Sequence, residues 1–148
     1  MFNFEKLEVW QKAIDFADLV YQNTGAFPAH ERFGLTNQLR RAAISISSNI
    51  AEGSSRESKR DYLHFLYIAR GSLSEAQYFI HLARRLGYLG EAQAQGLTDQ
   101  TKRTFGCLHG LIQAVEKETT KISKLTATIT SLLAFSLSRF VSGRLIQS

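Results

Sequence analysis

The sequence predicts an all-α chain folded as an antiparallel up-and-down four-helix bundle, and three observations carry that prediction. Only Pro28 among 148 residues breaks a helix outright, while Ala, Leu, Gln, Glu, Lys and Arg, which lose least on entering a helix, are abundant. Apolar residues recur at helical spacing along four long segments. The connections between those segments are short, which favours antiparallel neighbours. A chain of this length fits one domain and buries roughly two-thirds of its unfolded surface.

The first helix is expected from about Glu5 to Asn23. Leu7, Trp10, Ile14, Ala17 and Tyr21 share one face, with Val9, Ala13, Phe16 and Val20 beside them, so the segment is apolar over more than half its circumference. Asn23, Thr24 and Gly25 end it, with Pro28 beyond.

The second helix lies within Phe33 to Ser58 and has three faces rather than two. At about 100° per residue, Leu35, Leu39, Ala42, Ala43, Ile46 and Ile50 form one apolar stripe, and Ile44, Ser47 and Ala51 form a second. Gln38, Arg41, Ser45, Asn49 and Glu52 line up as a polar seam between them. A surface helix needs one apolar stripe, so a helix with two is expected to pack on two neighbours: one within its own subunit, the other across an oligomer interface at Ile44, Ser47 and Ala51. Gly53, Ser54 and Ser55 close this helix.

Ser58 is the expected N-cap of a third helix that extends to about Leu86 before Gly87, some 40 Å at ~1.5 Å per residue. Its core stripe is Tyr62, Leu66, Ala69, Leu73, Ala76 and Ile80. Another side gathers Lys59, Arg70, Ser74, Gln77, His81, Arg84 and Arg85, with Tyr67 and Tyr78 near them. Basic groups interleaved with aromatics suit a phosphate backbone with occasional stacking; an ordinary solvated face is the competing reading. Glu75 sits on a third, largely apolar stripe with Ile68, Phe79, Leu82 and Leu86. Antiparallel packing about the turn at 53–57 brings Arg41 within roughly one helical turn of Glu75. An Arg41–Glu75 bridge is the first choice for closing the seam, with a partner on a neighbouring subunit also open, and its role would be to specify packing rather than to add net stability.

The fourth helical pattern runs from about Glu91 to Lys121 with Ala94, Leu97, Phe105, Leu108, Leu111, Ile112 and Val115, weakened by Gly96, Gly106 and Gly110. Residues 1–121 are therefore assigned to the bundle and 122–148 to an apolar, basic C-terminal extension. In that tail Leu125, Ile129, Leu132, Leu133, Leu137, Phe140 and Val141 follow helical spacing, but Thr126, Thr128, Thr130 and Ser131 weaken helix propensity. Three roles compete for it: a fifth amphipathic segment docking on the bundle or a partner, a basic membrane-surface helix, and an extension with no selected role.

Charge is unevenly spread. Residues 1–120 hold 14 Lys+Arg against 13 Asp+Glu, whereas 121–148 hold Lys121, Lys124, Arg139 and Arg144 with no acid. Residues 40–85 carry eight basic groups against four acids, which points to a positive surface. The residues expected to contact phosphate are Arg56, Lys59, Arg60, Arg70, Arg84 and Arg85, with Arg40 as an inter-subunit or channel-lining candidate.

Catalytic signatures are thin. The four histidines are scattered, and the only metal-like spacing is a single Asp61-Tyr62-Leu63-His64 step, whereas a di-iron bundle needs two acid-x-x-His steps and inward carboxylates from all four helices. No phosphate-binding loop, nucleophile elbow or H-E-x-x-H helix is found. The lone Cys107 reads as a small buried hydrophobe in a reducing compartment. No catalytic residue, metal site or cofactor is expected. The N-terminus lacks a basic start and apolar block, and no run of about 18 apolar residues exists to span a bilayer. A soluble, cytoplasmic protein is the expectation.

Longer strings add a resemblance. F-x-x-L-x-V-W-Q-K-A from Phe4 to Ala13 is followed by Phe27-Pro28 and then by E-R-F-G-L-T-N-Q-L-R-R-A-A-x-S-I-x-x-N-I-A-E-G from Glu31 to Gly53. With G-S-L-x-E-A from Gly71 to Ala76, these resemble the four-helix-bundle family first named from intervening sequences in bacterial large-subunit ribosomal RNA genes. The likeness spans about residues 4–120. It implies antiparallel four-helix subunits assembled as a ring, a homopentamer, in a family most of whose members have no established activity. The fold is also remotely similar to the accessory variability proteins of diversity-generating retroelements, five-fold barrels that bind nucleic acid and a reverse transcriptase through basic surfaces; no single residue carries over. The tail departs from the family pattern, which stops near the end of the fourth helix. Together these readings point to a non-enzymatic oligomeric scaffold that binds RNA or DNA without base readout, RNA being favoured. The alternative is a protein-interaction scaffold with no nucleic-acid role.

Overall fold

A computed structural model describes residues 3–144, with side chains placed through residue 134. Among the described residues all regular secondary structure is helical. After a 3-10 turn at Asn3–Lys6 come α1 (Glu8–Thr24), α2 (Leu35–Ser54), α3 (Lys59–Arg85) and α4 (Glu91–Arg144), with a second 3-10 turn at Ala29–Glu31 before α2. The chain divides into two compact units, Met1–Gln113 and Ala114–Ser148.

In the first unit the helices form an antiparallel four-helix bundle. α2 packs on α1 and on α3. The first turns of α4 reach both remaining helices: Gln100 Nε2 and Thr104 Oγ1 donate to the Lys12 carbonyl of α1 at 3.3 and 3.4 Å, and Gln77 Nε2 of α3 donates to Thr98 Oγ1 at 3.2 Å. The core is built from Val9, Ala13, Phe16 and Val20 of α1, the predicted α2 stripe from Leu35 to Ile50, Leu66 to Ile80 of α3, and Ala94, Leu97, Leu108 and Ile112 of α4.

This core differs from the sequence expectation in each of three helices: Tyr62 of α3 is only half-buried and Phe105 of α4 is exposed, and α1 and α4 differ further. In α1 the Val9–Val20 stripe is inside, whereas Ile14 and Tyr21 of the neighbouring stripe stay 41% and 44% exposed, because a helix in a bundle corner has only enough contact for one stripe. In α4 the core row continues through Thr101 and Thr104, both buried. Each donates its hydroxyl to the carbonyl four residues back, Leu97 at 2.9 Å and Gln100 at 2.9 Å, so neither leaves a polar atom unpaired.

The helix boundaries follow local chemistry. Ser58 caps α3 as expected: its Oγ accepts from the Asp61 amide at 3.0 Å and donates to Asp61 Oδ2 at 2.7 Å. Ser58→Ala is therefore expected to lower stability by about 1 kcal/mol, read as a lower urea midpoint at unchanged slope. α3 ends where Gly87 takes φ +75°, letting Gly87 N and Tyr88 N close onto the Arg84 and Ala83 carbonyls at 3.0 and 2.9 Å. A left-handed residue at that position favours glycine.

The fourth helix does not stop at Lys121. In the second unit Thr126, Thr128 and Thr130 each donate to a carbonyl four residues back at 2.9–3.0 Å, so their low propensity is absorbed within a continuing helix rather than ending it. Ile122, Leu125, Ile129, Leu132 and Leu133 are each at least half exposed there. The side chains of Leu137, Arg139, Phe140, Val141 and Arg144 lie outside the described residues.

Candidate nucleic-acid interface and polar seam

The polar seam of α2 borders a cleft of about 340 Å³ lined by Gln38, Arg41, Ala42, Ile44, Ser45 and Glu75. Antiparallel pairing of α2 with α3 brings these together, and the contact that closes the pair is Ser45 Oγ to Ser72 Oγ at 2.8 Å. Asn49 extends the network, donating from Nδ2 to the Ser45 carbonyl at 2.7 Å and to Ser45 Oγ at 3.0 Å. Glu52, at the end of the seam, pairs with Arg56 one turn on. Arg41 and Glu75 line one cleft but form no ion pair, among the described residues. Both side chains are exposed, and water solvates two such charges about as well as they solvate each other. The hydroxyl pair thus does the joining expected of an Arg41–Glu75 bridge. Ser72 was missed because a serine among apolar residues carries little periodic signal.

The expected second stripe of α2 is also divided residue by residue. Ile44 is 43% exposed and Ala51 half-buried, whereas Ser47 is only 6% exposed within the subunit. Ser47 Oγ donates to the Ile44 carbonyl at 3.1 Å, so the stripe offers a neighbour Ile44 and part of Ala51 but not the Ser47 hydroxyl.

The basic residues separate by how their charge is held. Arg40 is tied between α1 and α2: its Nε donates to Thr24 Oγ1 at 2.8 Å, and its guanidinium lies 4.5 Å from the Tyr21 ring centroid. Arg56 sits over Phe65 at 4.6 Å as well as pairing with Glu52. Arg84 pairs with Glu91 at 3.0 Å. Arg70 lies over the exposed Tyr67 ring at 4.8 Å, and Lys59, Arg60 and Arg85 are exposed. Along α3, Lys59, Arg70 and Arg84 fall within about 40° of one another at 100° per residue. They span about 38 Å from first to last at ~1.5 Å per residue. Arg56, Lys59 and Arg60 cluster at one end of α3 and Arg84 and Arg85 at the other, so these residues form a line with two denser ends rather than one patch.

Other reactive groups are quiet. Burial, with the Glu8 carboxylate beside it, pushes the Cys107 thiol pKa up, and Sγ lies 3.8 Å from Glu8 Oε1. A thiol held protonated is a poor nucleophile. Among the described residues no group of three or more His, Cys, Asp and Glu side chains converges as a metal site, and no helix is long and apolar enough to cross a membrane.

Residues 5–110 match the family described as 23S rRNA-intervening sequence protein. The chain belongs to that family. A solved structure of a member of the S23 ribosomal protein family from Bacteroides thetaiotaomicron, itself of unknown function, is similar to it, with a TM-score of 0.65 and 24% sequence identity over 71% of this chain and 95% of that one. At that identity the likeness bears on fold alone. No curated protein matches the chain. The family's matched span takes in α1 to α3 and the first turns of α4, and so contains the seam and the basic line.

Proposed function

We propose that this member of the intervening-sequence family is a cytoplasmic, non-enzymatic helical scaffold that assembles as a ring, a homopentamer, and binds nucleic acid, RNA by preference, through phosphate contacts. The observation that carries the reading is the Lys59–Arg70–Arg84 line on α3. Cations recurring along one helix face over tens of ångströms match an extended polyanion better than a compact ligand, and the Arg70–Tyr67 pair adds an exposed aromatic on which a base can stack. Arg60 and Arg85 widen the line at its ends. Arg40 and Arg56, committed to Tyr21, Thr24, Glu52 and Phe65, contribute less, and Arg84 reaches phosphate by giving up its exposed pairing with Glu91. The family's name ties it to ribosomal RNA genes, which favours RNA over DNA.

The test is a titration of short RNA and duplex DNA at two salt concentrations. Binding is expected to weaken steeply with salt, and Lys59→Ser, Arg70→Ser and Arg84→Ser together should flatten the slope of log affinity against log salt by about 2 for single strands, at roughly 0.7 per phosphate contact, with oligomer mass unchanged. Salt-insensitive or absent binding by an intact oligomer defeats the reading. The second reading, a protein-interaction scaffold with no nucleic-acid role, draws on exposed apolar residues such as Phe33, which is 84% exposed; it would be favoured by that negative result.

A further inference from the structure

A second cleft, of about 300 Å³, lies where the α1–α2 connection folds back on the start of α2. Thr24, Phe27, Pro28, Arg32, Thr36 and Arg40 contribute to its wall, and no carboxylate does. Arg40 is anchored by its Nε to Thr24 Oγ1 and by its face to Tyr21. That grip leaves its two terminal nitrogens with no protein acceptor among the described residues and fixes where they can donate. Arg32 rests 5.8 Å from the Phe33 ring centroid and pairs with no acid among the described residues. Glu31, the acid adjacent in sequence, is engaged elsewhere, accepting from the Leu35 amide at 2.9 Å and the Tyr88 hydroxyl at 3.3 Å.

The observation that points to a ligand is Thr36. It is only 8% exposed, and its Oγ1 is the one buried side-chain polar atom without a hydrogen-bond partner among the described residues. Native proteins rarely leave such a group unpaired; Thr36 lines the cleft together with Arg32 and Arg40, so its hydroxyl, once turned into the cleft, is paired when an oxyanion sits there. A planar guanidinium fork and a hydroxyl donor are the groups that recognise a tetrahedral oxyanion. Phe27 and Pro28 add apolar surface to the lining, and the volume, at the small end of ligand pockets, leaves room for the first atoms of whatever the phosphate esterifies.

We propose that the Arg32–Thr36–Arg40 cleft is a binding site for a phosphomonoester. Its phosphate takes hydrogen bonds from both arginines and from Thr36 after a rotation of the threonine side chain, and its ester carbon rests against Phe27 and Pro28. The site stands apart from the α3 line and does not depend on the nucleic-acid reading. The phosphate has two sources, a small phosphorylated molecule or the 5′ end of a strand.

Inorganic phosphate titrated at constant ionic strength should raise the thermal midpoint saturably. Arg32→Gln and Thr36→Val should each weaken that response about tenfold or more, as expected for loss of a hydrogen bond to a charged group. Thr36→Val is the decisive variant: it removes an unpartnered hydroxyl and keeps the shape, so without ligand its midpoint should equal or exceed the parent's, and a fold defect cannot imitate the loss. A 5′-phosphorylated hexanucleotide binding about tenfold tighter than its 5′-hydroxyl counterpart assigns the strand end; equal binding of the two, with the inorganic phosphate response intact, assigns the small molecule. No saturable response to phosphate, or full affinity in both variants, overturns the site.

Discussion

Ile44→Asp should convert the ring proposed above to monomers while leaving each subunit folded. Within the subunit Ile44 is 43% exposed and borders the seam cleft, so a carboxylate there meets water and the four-helix core beneath is untouched. In the proposed ring a neighbour covers the same position and an aspartate there loses its water; Arg41, one turn back and lining the same cleft, offsets only part of that cost. A penalty of about 3 kcal/mol lowers association more than a hundredfold at each interface, and a closed ring repeats it at every contact. Native mass measurement or light scattering reads the outcome, with far-ultraviolet circular dichroism as the control for folding. An unchanged oligomer would remove Ile44 from the interface, and a monomeric parent protein would remove the ring.

Gly53→Ala should destabilise the fold, against the sign that helix propensity gives. In a helix interior alanine is favoured over glycine by about 1 kcal/mol. Gly53, however, is buried where α2 crosses the start of α3, and a Cβ there would come within 2.8 Å of Phe65 Cβ and 3.0 Å of Tyr62 Cδ2. Phe65 Cβ is attached directly to the backbone and cannot swing aside, so α3 must move away from α2 along the contact that Ser45 and Ser72 help to close. Overpacking of this kind costs about 1–3 kcal/mol. The steric cost outweighs the gain in propensity, and a net loss of about 1 kcal/mol or more should appear in chemical denaturation. Gly71→Ala is the matched control: a Cβ there meets nothing, so propensity alone acts and the protein should gain stability.

Much of the bundle was legible in the chain because it rests on local rules. The α2 stripe from Leu35 to Ile50, the Ser58 cap and the Gly87 stop each depend on residues within a turn or two, and each stands in the structure where period and punctuation put it. The choice between two apolar stripes on α1 was not legible, since Ile14 and Phe16 carry similar signals and only the position of α2 and α4 decides which is covered. Thr101 and Thr104 escaped because a threonine reads as polar until the carbonyl that satisfies its hydroxyl is in view.

The candidate sites divide in the same way. The α3 basic line follows from helix period alone. The state of each charge does not: that Arg40 is held by Thr24 and Tyr21, and Arg84 by Glu91, depends on residues brought from other helices. Nothing in the sequence singles out Thr36 or Arg32, whose interest arises only when the α1–α2 connection closes a cleft around them.

What the amino-acid order determines here is the all-helical bundle, the helix boundaries at Ser58 and Gly87, its family and the face on which charge collects, because backbone geometry, capping and periodicity act over a few residues. What tertiary structure alone decides is which stripe is buried, which arginines are already engaged and that serines rather than Arg41 and Glu75 join α2 to α3. Those outcomes depend on ångström-scale distances between residues far apart in the chain, and no local pattern encodes such distances.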